Sequence, residues 1–292
     1  MNTSMLKEFL TNKTAGFIKL MDIGASGKLD PKWQLLSPLL ELTGFEPNID
    51  ECIRLAEQKT DLYKQTYLPY ALSGKTEERE LNETSSIYCW SLLNPNSDWL
   101  NRFSFSDLFT VLNKSKIKTF ALDDISEIKN HDFDAVKMDT QGMELPILKG
   151  GKKVLDNVFF LETETGFLDN YEGETTFSQV SEYLLKQNFI MFDINPNHRI
   201  RRKGPFENSE HSLGQPLWCE AVWLKDLIQC HKQGNLPKID RAKAIRCLLL
   251  CASNHYYDFG YELADFFCHQ LKLISIGELA ILSEIDSWKI VD

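Results

Sequence analysis

Apolar residues in the first half of the chain fall in short runs separated by amphipathic stretches. Residues 17–23 form a strand-like run that ends in the turn Gly24-Ala25-Ser26-Gly27-Lys28. Asp30 and Pro31 then read as the N-cap and first-turn proline of a short helix, which Pro38 cuts off. Residues 42–45 are a second strand, and the stretch IDECIRLAEQ after it puts Ile49, Cys52, Ile53 and Ala56 on one helical face. Further strands are expected at 67–72, 135–138, 158–162, 189–194 and 219–224, with helices near 145–155 and 177–186. Strand alternating with helix is the signature of a doubly wound α/β sheet, mostly parallel and here seven-stranded. Residues 74–115, punctuated by Asn, Ser and Pro, read as a hairpin plus an insertion. After Lys225 the pattern becomes helical, clearest at 242–252 and 256–271. The expected division is therefore an α/β domain over 1–226 and a C-terminal helical extension over 227–292.

Composition narrows the class. With 43% hydrophobic and 25% charged residues, the 292-residue chain is an ordinary globular protein. Its net charge of −10 offers no footprint for a nucleic-acid backbone, so no nucleic-acid partner is expected. The seven cysteines are odd in number and lack CxxC spacing, as expected of reduced core thiols. No run approaches the roughly 18 apolar residues of a membrane span, and the first twenty residues lack a signal-peptide core, so a cytoplasmic location is expected.

The chemistry concentrates at the first turn. Gly24 and Gly27 let a ligand approach the backbone closely, and the following helix start offers free N–H groups. Glu46 closes the second strand 22 residues beyond Gly24, where an acid accepts hydrogen bonds from a ribose diol. Asp22 suits a cationic ligand and would repel a dinucleotide pyrophosphate, which favours S-adenosylmethionine over a nicotinamide cofactor; the third glycine of the dinucleotide fingerprint is also absent. Three classes remain in view: a methyltransferase, a non-catalytic cofactor-binding scaffold whose helical tail binds protein partners, and an oxidoreductase.

The segments DIGASG, GFEPN, YALSG, ETSSIY, TFALDDI, VKMDTQGMELPILKGG and FFLETE, in this order, resemble the FkbM-type methyltransferases. That resemblance implies a Rossmann-like class I fold, S-adenosylmethionine as cofactor, and O-methyl transfer, commonly to a sugar hydroxyl of a glycan, lipopolysaccharide or natural product. It implies a cofactor pocket lined by Asp22, Gly24, Ser26, Glu46, Pro47, Asn48, Leu72 and Ser73. Asp139, Gln141 and Glu144 end the fourth strand, where ligands sit in such sheets, so Gln141 and Glu144 are expected to meet the acceptor. Asp139 is the first candidate for the base that takes the acceptor's proton, with Glu162 and Glu164 next. Neighbouring carboxylates are also of the type that binds divalent ions, although no metal ligand set is assigned. The dense basic run from His198 to Lys203 is expected to grip an acidic group of the acceptor through Arg201 and Arg202, on a lid spanning 195–216. In the tail, Leu248, Leu249, Leu250, Phe259, Leu263, Phe266 and Phe267 are expected either to pack on the main domain or to form a homodimer contact.

Overall fold

The run of β-branched and aliphatic residues at the start forms β1 (Ile18–Ile23), whose side chains alternate between two buried faces. Leu20 enters one core and Met21 the other. A strand covered on both sides is mostly apolar, and Ile18, Leu20, Met21 and Ile23 outweigh Lys19 and Asp22 in the pattern. The computed structural model describes residues 15–27, 29–34, 36–195 and 199–283. After β1 come α1 (Pro31–Gln34), β2 (Leu40–Phe45), α2 (Ile49–Glu57), β3 (Lys64–Leu68), β4 (Ala71–Leu72), β5 (Glu77–Thr84), α3 (Ser97–Leu100), β6 (Val111–Phe120) and β7 (Ala135–Met138). The chain continues through α4 (Glu144–Gly150), α5 (Lys152–Leu155), β8 (Phe160–Gly166), α6 (Phe177–Lys186), β9 (Phe189–Asn195), β10 (Arg199–Ile200), β11 (Gln215–Pro216) and β12 (Trp218–Lys225). It ends in α7 (Leu227–Lys232), α8 (Arg241–Ser253), α9 (Tyr257–His269) and α10 (Ile276–Ser283).

Seven strands form the central sheet in the order β3-β2-β1-β7-β8-β12-β9. The first five are mutually parallel, and β12 runs antiparallel between β8 and β9. This is the doubly wound, mostly parallel seven-stranded architecture that the alternation of elements implied, with helices at the C-terminus. The 74–115 segment is a hairpin of β5 and β6 carrying an insertion, extended by β4 into a small second sheet.

Several boundaries differ from the sequence reading. The third strand begins at Lys64 and stops at Leu68, because Pro69 has no N–H to extend the ladder; Ala71–Leu72 joins the small sheet instead. The fifth strand runs on to Gly166, so Glu162 and Glu164 lie within it and not at its end. The helix expected over 145–155 breaks at Gly150-Gly151, where a Cβ on Gly151 would strike the Leu122 side chain. Helix α2 docks through Cys52 and Leu55, leaving Ile49 and Ile53 exposed, so its buried face is rotated from the one the pattern suggested.

Helices α8 and α9 lie on the sheet. Leu248, Leu249, Leu250, Phe259, Leu263, Phe266 and Phe267 are all buried in one core with Ile18, Leu20, Leu40, Leu42, Phe160 and Leu224. The docking is fixed electrostatically by Asp134, fully buried just before β7, which pairs with Lys243 at 3.0 Å and Arg246 at 2.9 Å and also accepts from the Lys19 amide. All seven cysteines are free and buried. No helix among the described residues is long and apolar enough to cross a membrane.

Candidate functional site

Strand order reverses on either side of β1, and a crevice opens outside the carboxyl ends of β1 and β7. Gly24 makes that junction tight. It adopts φ +75°, and a Cβ placed on it would overlap the backbone carbonyl of Asp139. The Asp139 amide in turn donates to the Ile23 carbonyl at 2.9 Å. The amides of Gly24 and Ala25 both donate to the Phe45 carbonyl at 3.1 Å, joining the turn to the end of β2.

Glu51, which the sequence reading passed over, clamps the rest of the turn. Its Oε1 accepts from the Gly27 amide at 3.0 Å and from Ser26 Oγ at 3.4 Å, while Arg54 holds the same carboxylate at 2.6 Å. The hydrogen bonds from Arg54 lower its pKa to about 2. Its only signal in the sequence was the Glu-Arg pair three residues apart on α2. Glu46, at the end of β2, is buried and accepts from the Asn48 amide at 2.8 Å; burial pushes its carboxyl up to about 7. Asn48 also caps α2, accepting from the Glu51 amide at 3.2 Å.

A cavity opens above these groups. Gly24, Ser26, Glu46, Pro47, Asn48 and Leu72 line it, with Phe45, Tyr70, Tyr88 and Trp90 supplying flat apolar wall and Asp139 one end. Two expected members stand outside. Ser73 is buried and receives a 3.4 Å contact from Arg79. Asp22, expected to meet a ligand cation, is 4% exposed and meets Lys137 instead, at 3.2 Å. Burial opposes the charge on Lys137, but Asp22 and Asp139 outweigh it and hold its pKa above the usual value.

A second cavity abuts the first, and Tyr88, Asp139 and Gln141 line both. Its walls combine Phe105, Phe109, Tyr171 and Trp218 with Glu144, Glu164 and Glu174; no lysine, arginine or histidine lines it among the described residues. Glu144 and Glu174 tie loops. Glu144 accepts from the Thr140 amide and hydroxyl at 3.0 and 2.9 Å, and Glu174 from the amides of Asn170 and Tyr171 at 2.7 and 2.9 Å. Burial pushes Glu144 up to about 7, Glu174 up to about 8 and Glu164 well above the carboxylate range. The Glu164 side chain makes no hydrogen bond or ion pair among the described residues.

Glu162 lies elsewhere. Its Oε1 pairs with Lys32 at 2.6 Å and it lines neither cavity. The basic run is also committed: Arg201 donates to the Ser212 carbonyl at 2.7 Å, and Arg202 donates to Gln215 at 2.6 Å while stacking over Phe103 and Trp99. Neither arginine lines either of these two cavities; β10 and β11 pair into a hairpin that bridges to the insertion through Arg202 and Phe103. Lys28 and His198 lie outside the described residues. Among the described residues no group of three or more His, Cys, Asp and Glu side chains is arranged to hold a metal ion.

Comparison with known proteins gives three findings. Residues 30–191 match a family model described as Methyltransferase FkbM domain. The chain is 26% identical over 170 residues to the 2-O-methyltransferase NoeI of Sinorhizobium fredii (strain NBRC 101917 / NGR234), covering 56% of this chain and 70% of that one. Among solved structures it is similar to magnesium protoporphyrin IX methyltransferase (ChlM) from Synechocystis PCC 6803, at 7% identity and a TM-score of 0.36, covering 77% of each chain. It is also similar to Streptococcus pneumoniae Sp1610, a putative tRNA (m1A22) methyltransferase, at 11% identity and a TM-score of 0.35, covering 99% and 98%.

Proposed function

The chain belongs to the FkbM methyltransferase family and is an S-adenosylmethionine-dependent methyltransferase; we propose that it methylates a hydroxyl oxygen of a sugar, with the donor in the first cavity and the acceptor in the second. The observation that carries this reading is the wall the cavities share, since a group transferred from one ligand to the other must cross at Asp139 and Gln141.

The first cavity suits the donor chemically. Glu46 keeps lone pairs for the ribose diol beyond the one given to Asn48, the flat walls of Phe45, Tyr88 and Trp90 match a purine, and the Gly24 turn keeps the backbone within reach of the amino-acid moiety. Bound there, S-adenosylmethionine supplies a methyl group on a sulfonium, an electrophile that needs alignment with the attacking oxygen more than activation.

The chain's part is to align and deprotonate. Aromatic walls in the second cavity stack against the apolar face of a pyranose, and carboxylates accept from its hydroxyls. Asp139 would take the proton of the reacting hydroxyl as that oxygen bonds to the methyl carbon and the carbon–sulfur bond breaks, its electron pair staying on sulfur to leave neutral S-adenosylhomocysteine, and Glu164 would accept from a neighbouring hydroxyl. The carboxylates Asp139, Glu144, Glu164 and Glu174 in the lining, with no basic group among the described residues there, favour an uncharged sugar over a phosphorylated one. The similarity to NoeI, a 2-O-methyltransferase, supports oxygen as the atom methylated.

The test is transfer of labelled methyl from S-adenosylmethionine to fractionated oligosaccharides, lipids and small molecules. Label in the sugar fraction, on oxygen, is the expected result; label confined to protein or lipid acyl material would overturn it.

A further inference from the structure

Asp139 does not stand alone between the cavities. Its Oδ1 accepts a hydrogen bond from Gln141 Nε2 at 2.7 Å. The amide oxygen of Gln141 accepts from the Tyr171 hydroxyl at 2.9 Å, and that hydroxyl also lies 3.0 Å from the Cys89 carbonyl. The Gln141 backbone is fixed as well, in the left-handed region at φ 52°, with its carbonyl accepting from Ser91 Oγ at 2.7 Å. A non-glycine residue there is held by its surroundings and not by its own preference.

We propose, on the reading that Asp139 is the base, that Tyr171 is a positioning residue for methyl transfer: it fixes which end of the Gln141 amide faces Asp139, and so keeps the carboxylate aimed between the cavities. The reasoning is a matter of donors and acceptors. A glutamine amide presents N–H groups at one end and an oxygen at the other, and only the N–H end can bond a carboxylate. A phenol hydroxyl beside Gln141 Oε1 supplies the proton that makes this orientation the satisfied one. Turned over, the amide would set its oxygen against Asp139 Oδ1, two acceptors with no proton between them, and would give up the proton that Tyr171 now offers to Gln141 Oε1. Tyr171 is 2% exposed, and burial pushes its phenol well above the usual value, so it remains a donor across the working pH range.

The relay depends on parts distant in sequence. Tyr171 comes from the connection after β8, Cys89 and Ser91 from the insertion, and Asp139 and Gln141 from the end of β7. Two backbone hydrogen bonds lace the connection to the insertion, Asn96 N to Asn170 O at 2.9 Å and Glu172 N to Asn94 O at 2.8 Å. The insertion thereby serves the reaction as well as enclosing the acceptor.

A double-mutant cycle on the full chain tests this, with mixed methyl pyranosides of glucose, galactose, mannose and rhamnose as acceptor probes. Tyr171→Phe should lower kcat by about tenfold, well short of the loss from removing the base, with little change in the affinity for S-adenosylhomocysteine. In an Asp139→Asn background the same change should cost nothing further, because a residue acting through Asp139 has nothing left to position. An equal loss in both backgrounds would overturn the proposal. A second readout needs no acceptor: in the ¹⁵N–¹H spectrum the Gln141 side-chain amide should show one distinct pair of signals that collapses toward free-glutamine positions in Tyr171→Phe. Unchanged amide signals would overturn the relay. Full activity of Asp139→Asn alone would instead remove Asp139 as the base, a separate failure that the single variant reveals.

Discussion

The backbone carbonyl of Asp139 occupies the space that a Cβ on Gly24 would need. The two residues are 115 apart in sequence, yet the donor turn and the proposed base share one van der Waals surface. Gly24→Ala therefore has to push β1 and β7 apart or deform the turn, and it places a side chain at φ +75°. We expect a loss of about 2–4 kcal/mol in stability, from overpacking and left-handed strain together. Binding of S-adenosylhomocysteine should be lost with it. Urea unfolding and calorimetric titration check both, and a variant that is stable and binds normally would show that the junction has slack.

Asp139→Asn keeps the shape at the shared wall and removes the proton acceptor. Turnover should fall by about 10² to 10⁴-fold while affinity for S-adenosylhomocysteine changes little. Single-turnover kinetics with labelled donor separate the two. Near-normal turnover would move the base to Glu164, the carboxylate in the same cavity that makes no hydrogen bond or ion pair among the described residues.

Glu46 sits at about 7 because burial disfavours its charge. A ribose diol donates to the ionised form, so donor affinity should weaken as pH falls through 7, and Glu46→Gln should flatten that dependence. The variant should also bind more weakly at pH 8, since hydrogen bonds to a charged group are worth roughly 1.5–3 kcal/mol. Titrations from pH 6 to pH 8.5 measure both effects.

Stability should move with pH in the opposite sense. Glu46, Glu144 and Glu174 have folded-state values of about 7, 7 and 8, all above the unfolded carboxylate range. Between pH 5 and 7.5 the folded chain thus binds more protons than the unfolded chain, and raising the pH removes stability. Lys225, lowered to about 8 by burial, acts with the reverse sign only above that window. Urea unfolding across pH 5 to 7.5 should show a falling free energy for the ligand-free protein; a rise would mean that the cavity acids gain partners on ionising.

Asp134 anchors the tail with no exposure of its own. Removing Lys243, 4% exposed, leaves half of that carboxylate's compensation missing. Lys243→Ala should cost about 3–5 kcal/mol in urea unfolding. A loss below 1 kcal/mol would mean that Arg246 alone suffices.

The sheet was legible in the sequence because strands buried on both faces are mostly apolar, as Ile18–Ile23 and Ala135–Met138 are, apart from Lys19, Asp22 and Lys137. The tight turn at Gly24 was legible because a position whose Cβ would meet the Asp139 carbonyl leaves room for glycine alone. The acceptor side was harder to read. Glu162 and Glu164 share a strand, a residue type and a spacing of two, and only the position of Lys32 on a different element separates a paired structural acid from a cavity acid. Asp22 was read for its charge without its partner, since Lys137 comes from a strand 115 residues away. The basic run looked available because sequence does not show that Arg202 is already stacked on Trp99 and Phe103. Tyr171 carried no local signal at all; its role comes from three segments meeting.

Because α8 and α9 provide much of the cover for one face of the sheet, the order of synthesis has a cost for the cell. Ile18, Leu20, Leu40, Leu42, Phe160 and Leu224 are all synthesised before residues 241–269 exist to shield them. The nascent chain carries this uncovered apolar surface until residues 241–269 have been made, the period in which aggregation competes with folding and chaperones bind. A stalled or truncated chain ending near residue 226 would keep the complete donor turn and the whole seven-stranded sheet, and would still be a substrate for quality control.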